Sequence, residues 1–109
     1  MYCYIWSFVV RPERVDEFKS AYGPEGDWAR LFRRDPQYFG TCLVRDRQNP
    51  ARFLTIDFWS SGEACSSFRE RFRTEYEELD SRFERLTIEE SRIGDFDVLG
   101  EWKPELLRG

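Results

Sequence analysis

Apolar and polar positions recur along this chain at spacings that lay out its elements. Residues 2–10, YCYIWSFVV, are β-branched and aromatic and stop at Arg11-Pro12, which predicts a strand. Pro12 suits the first turn of a helix, where its missing N–H is no loss. Val15, Phe18 and Tyr22 follow on one helical stripe, and Gly23-Pro24-Glu25-Gly26 breaks it. Asp27 is placed to cap a second, short piece striped by Trp28, Leu31 and Phe32, which Asp35-Pro36 closes. Residues 38–46 and 52–59 read as two strands around the polar turn Arg47-Gln48-Asn49-Pro50-Ala51. A cap at Ser60-Ser61 opens one long helix to about Leu86, striped by Cys65, Phe68, Phe72, Tyr76, Leu79, Phe83 and Leu86. A last strand covers about residues 88–99. Residues 101–109 form a polar tail in which Trp102, Leu106 and Leu107 could reach a partner.

The order β-α-β-β-α-β predicts an α+β, ferredoxin-like sandwich over residues 1–100: a four-stranded antiparallel sheet with helices on one face. Pairing about the polar turn puts Phe39, Thr41, Leu43 and Arg45 opposite Trp59, Asp57, Thr55 and Phe53 on one face. The other face carries Gly40, Cys42 and Val44 opposite Phe58, Ile56 and Leu54. This second face is wholly apolar and is expected under the helices. The first strand is apolar on both sides, with Tyr2, Tyr4, Trp6, Phe8 and Val10 on one and Cys3, Ile5 and Val9 on the other. A strand covered twice needs a second layer that one chain of this length does not supply. Two copies stacked sheet on sheet would supply it, so a homodimer is expected.

Composition narrows the chemistry. The 109 residues are 40% hydrophobic, 35% charged and 17% aromatic, too aromatic for a disordered chain and enough for one domain. Folding should bury about two thirds of the extended surface. A net charge of −4 removes the basic footprint that nucleic-acid binding needs. No apolar run reaches the roughly 18 residues of a membrane helix, and the first residues lack the basic-then-apolar order of a signal peptide, so a cytoplasmic location is expected. There is no histidine, which excludes Ser-His and Cys-His nucleophiles, histidine bases and histidine-ligated haem. Cys3, Cys42 and Cys65 are odd in number and far apart, so they form neither a disulfide framework nor a zinc site. No phosphate-binding pattern runs through the seven glycines. What remains is the chemistry of a shaped aromatic pocket without a cofactor, or no chemistry.

Several stretches together resemble the antibiotic biosynthesis monooxygenase superfamily: Phe8-Val9-Val10-Arg11-Pro12, Ala21-Tyr22-Gly23-Pro24, the segment from Trp28 to Arg34, Tyr38-Phe39-Gly40-Thr41, and Leu54 to Ser61 ahead of the long helix. The resemblance covers roughly residues 2–99 and implies a dimeric α/β barrel. It also implies one of two chemistries. Cofactor-independent oxygenases of this kind oxidise polyketide-like phenols: the substrate is deprotonated and its anion reduces O₂. A haem-degrading branch uses an Asn on the first strand and a Trp and a His on the long helix. Those positions fall here on Trp6, Phe68 and about Glu78, so haem degradation is not expected.

The candidate site follows from that placement. Trp6 and Phe68 would face the cleft between sheet and helix, with Tyr4, Phe8, Trp28, Phe32, Phe72 and Tyr76 around them, a slot for a flat aromatic ligand. Equally, these rings could simply fill the core. Tyr4 or Tyr76 could donate to a phenolate or to a backbone carbonyl. Asp57, an acid between Ile56 and Phe58, is a candidate acid or base. Its plain alternatives are to accept from Thr41 opposite or to pair with an arginine across the dimer seam. The function expected is a cofactor-free monooxygenase on an aromatic small molecule; the alternative is a non-catalytic homodimeric scaffold that binds small molecules.

Overall fold

In the computed structural model, which describes residues 1–100, four strands form one sheet in the order β2-β3-β1-β4. They are β1 (Tyr2–Val10), β2 (Tyr38–Arg45), β3 (Arg52–Trp59) and β4 (Thr87–Asp97), and every neighbouring pair is antiparallel. Between β1 and β2 lie a 3-10 turn (Pro12–Arg14), α1 (Val15–Tyr22) and α2 (Asp27–Phe32). Between β3 and β4 lie α3 (Gly62–Arg71), α4 (Arg73–Phe83) and a 3-10 turn (Glu84–Leu86). This is the expected ferredoxin-like order. No helix among the described residues is long and apolar enough to cross a membrane. The tail from Glu101, with Trp102, Leu106 and Leu107, lies outside the described residues.

Two local expectations about the helices need correction. Asp27 is the first residue of α2 rather than its cap; Gly26 holds the cap position, and the Asp27 carboxylate pairs with Arg30 at 3.3 Å and Arg82 at 3.7 Å, tying α2 to α4. The long helix is two helices, because Phe72 leaves helical geometry at φ −111° and ψ 29°. Its ring stacks on Phe68 at 4.6 Å with the guanidinium groups of Arg34 and Arg71 over it, and the flanking 2.9 Å ladder bonds to Phe68 and from Tyr76 survive. Ser61 does cap α3 as expected, its hydroxyl accepting from the Ala64 N–H at 3.1 Å.

The hairpin register is the expected one over most of its length: Thr41 faces Asp57, Leu43 faces Thr55 and Arg45 faces Phe53. It slips at one end. Tyr38, not Phe39, pairs with Trp59, while Gly40 pairs with Phe58. Phe39 is the extra residue of a bulge and stays 37% exposed. Gly40 takes φ 147° there, a conformation side chains rarely tolerate.

The face under the helices is the opposite of the one expected. Phe18 of α1 packs on Phe8 and Phe53, and Phe32 of α2 packs on Tyr38 and Trp59. The mixed face bearing Thr41, Thr55 and Asp57 is therefore the covered one, and all three are buried. The wholly apolar face of the hairpin, with Cys42, Val44, Leu54 and Ile56, continues through Ile5 and Phe96 and carries no helix among the described residues. Polar groups were a poor guide because the covered face bonds Thr41 to Asp57 and to Tyr38 through their own side chains.

Candidate functional site

A cavity of about 70 Å³ opens between the sheet and the helices. One water needs roughly 10–15 Å³ on this measure, so several fit. The floor is the covered sheet face: Tyr4, Trp6 and Phe8 from β1, Thr41 from β2, Thr55 and Asp57 from β3. The roof is Tyr22, Trp28 and Phe32 from the first helical pair and Tyr76 from α4. Asp80, one helical turn beyond Tyr76, and Glu90 of β4 complete it. The rings lean on one another, Trp28 edge-on to Tyr76 at 4.8 Å and Trp6 stacked beside Phe8 at 6.3 Å. Tyr4, Phe8, Trp28 and Phe32 are buried, whereas Trp6 and Tyr76 are half-buried.

Asp57 sits in the floor, 6% exposed. Its Oδ1 accepts from the Thr41 hydroxyl at 2.5 Å, and the Thr41 oxygen is in turn 2.5 Å from the Tyr38 hydroxyl. Thr41 has one hydroxyl hydrogen, so while it donates to Asp57, Tyr38 must donate to Thr41. The Tyr4 hydroxyl, opposite Asp57 in the register, is near enough to draw on the carboxylate. Burial pushes the Asp57 carboxyl up to about 6, against the pull of the Thr41 hydrogen bond and of the nearby Tyr4 hydroxyl. Burial and then the Asp57 charge hold the Tyr4 hydroxyl far above its usual range, so Tyr4 remains a donor. The expected Thr41 partner is thus present, and the same carboxyl also reaches the cavity.

Of the residues singled out from the sequence, Tyr4, Trp6, Phe8, Trp28, Phe32, Tyr76 and Asp57 meet at this cavity. Phe68 and Phe72 do not. Phe68 is fully buried between Phe32, Trp59 and Phe72, and this end of the layer is filled with rings. The loop from Gly23 to Gly26 is tied down. Arg33 donates to the Pro24 carbonyl at 2.5 Å and Arg30 to that of Glu25 at 2.8 Å, while a Cβ on Gly26 would meet two backbone oxygens at 2.5 Å. Arg33 and Arg34 pair with Glu25 at 3.2 Å and Glu75 at 3.6 Å. Tyr22, Thr41, Thr55, Asp80 and Glu90 were missed as wall residues. Thr41 and Thr55 share a face with Asp57, and Asp80 follows Tyr76 by four, so spacing could have found them. Glu90 could not be found, because it reaches the cavity only through the long-range pairing of β4 with β1.

No family model matches this chain, and no curated protein matches it. Solved structures do. SnoaB from Streptomyces nogalater, a cofactor-independent oxygenase, matches with TM-score 0.74 and 18% identity over 92% of this chain and 94% of that one. Two proteins assigned by name to the antibiotic biosynthesis monooxygenases also match. The one from Bordetella bronchiseptica has TM-score 0.71 and 21% identity over 90% of this chain and 97% of that one. The one from Nitrosomonas europaea has TM-score 0.69 and 16% identity over 92% of this chain and 100% of that one. The chain has the fold of the antibiotic biosynthesis monooxygenases.

Proposed function

We propose that this chain, carrying that fold, is a cofactor-independent monooxygenase of a phenolic aromatic compound, with Asp57 accepting the phenolic proton. The observation that carries the reading is a buried carboxyl in the wall of an aromatic cavity, steadied by the Thr41 hydroxyl on the neighbouring strand. As a carboxylate Asp57 takes the proton. Its raised proton affinity makes it a better base than an exposed aspartate. The Tyr4 hydroxyl, kept protonated, can donate to the phenolate. The electron-rich anion then supplies electrons to O₂. For an anthrone the balance is one CH₂ and one O₂ giving one C=O and one water.

An apolar cavity that holds benzene measures about 150 Å³. A ring therefore enters this one only as the half-buried Trp6 and Tyr76 turn outward. That small volume favours a second reading, a non-catalytic scaffold that binds a small molecule. Oxygen uptake with 1,8-dihydroxyanthrone under ¹⁸O₂ decides between them. The proposal expects uptake above the buffer rate and one labelled oxygen in the product carbonyl. Uptake no faster than buffer overturns it in favour of the scaffold.

The same reading makes the protein a homodimer through the uncovered sheet face, where Val44 is 37% and Phe96 46% exposed. Sedimentation should give twice the 13.2 kDa chain mass, and Phe96→Asp should halve it. We assign it to the cytoplasm, where the free thiols of Cys3, Cys42 and Cys65 would stay reduced.

A further inference from the structure

The carboxylic acids that line the cavity have no basic residue lining it beside them. Asp57 lies in its floor and Asp80 and Glu90 at its exposed edge, and no Lys or Arg is among the residues that line it. Neither Asp80 nor Glu90 takes part in an ion pair among the described residues. Of the basic groups nearby, Arg92 pairs with Asp95 at 3.6 Å and Arg82 with Asp27, while Arg69 lies over the Tyr76 ring at 4.9 Å. Burial raises the Glu90 carboxyl and the Asp80 charge raises it further, against the pull of Thr87, so the two acids feel one another. Beside them stand Trp6, Trp28 and Tyr22, ring types that attract cations. In the wall, Trp28 is 8% exposed, and its Nε1–H has no hydrogen bond of good geometry, although the Tyr22 hydroxyl is near enough to feel it. A buried donor left in that state calls for an acceptor.

We propose that the cavity takes an aromatic ligand carrying a protonated amine, with the amine between Asp80 and Glu90 and an oxygen acceptor reaching Trp28. This rests on the cavity being a ligand site, as proposed above, and names the class of ligand. Carboxylated aromatics of the same shape would meet three carboxyls in the lining, with Arg69, over the Tyr76 ring, a cation close by.

Chemical-shift titration of the full-length protein, followed at its indole N–H signals, tests this with three matched probes. These are 1-naphthylmethylamine, 1-naphthalenemethanol and 1-naphthoate. The amine should bind about tenfold tighter than the alcohol and the carboxylate weakest. The Asp80→Asn/Glu90→Gln double variant should erase the preference while the alcohol still binds. Equal affinities, or tightest binding by the carboxylate, would overturn the charge assignment and leave the ligand site standing. Binding by none of the three would overturn both.

Discussion

Two ends of the same helix–sheet layer are made from the same kinds of residue, and only one of them is solid. At the Phe68 end, Phe32, Tyr38, Trp59 and Phe68 meet at centroid distances of 5.2–5.7 Å, and Trp59 and Phe68 are wholly buried. At the Asp57 end, Trp6, Trp28 and Tyr76 surround space. What differs is the sheet beneath. Trp59 fills the floor at the first end, while Thr41, Thr55 and Asp57, shorter and polar, leave room at the second. Aromatic richness alone therefore does not make a pocket. Short polar residues among the rings make it, and they also supply its chemistry.

The largest test of this contrast is Phe68→Ala. In a closed core that truncation should remove about 3–5 kcal/mol of stability. A denaturant midpoint read beside ligand binding by the folded fraction checks it, with binding retained. A loss under about 1 kcal/mol would mean that this end is not closed.

Asp57→Asn comes next. Folding holds the Asp57 carboxyl near 6, above its ordinary 3.8. The folded state therefore binds the proton more tightly, and wild-type stability falls as pH rises from about 4 through 6, by about 3 kcal/mol at most. The variant lacks that titration. Its stability relative to wild type should improve across this window by up to that amount, measured by urea unfolding at pH 4 and pH 7. A constant difference would show that Asp57 is not buried as a potential charge.

Trp6→Ala is the smallest. Trp6 is half-buried at the edge of a space already empty, so its loss should cost about 1–2 kcal/mol, below the value for a core tryptophan. Oxygen uptake should nonetheless be lost. If the variant instead unfolds, Trp6 belongs to the solid end and the site reading fails.

The sequence carried the topology and the pairing of Thr41 with Asp57, because a short polar turn and alternating strands leave few registers. It misled about which sheet face the helices cover. Both faces of β1 are apolar, and the periodicity of a strand names two faces without saying which is inside. The break at Phe72 had no glycine or proline to announce it. For the cavity, the family resemblance placed Trp6 and Phe68, and the stripe and strand spacings supplied the rings around them. Phe68 and Phe72 were recruited wrongly, since neither an overlaid landmark nor a helical stripe can tell a filled layer from a hollow one. Glu90 depended on pairing between the two ends of the chain, and no local pattern holds that information.

The central claim is that Asp57 accepts the substrate proton, and the most direct measurement is oxygen uptake with 1,8-dihydroxyanthrone by Asp57→Asn beside wild type across pH 5–8. The account predicts that wild-type kcat/KM carries a rising limb with a midpoint near 6 and that the folded variant shows no uptake above buffer at any pH in the range. A variant that keeps both the rate and the limb would contradict it.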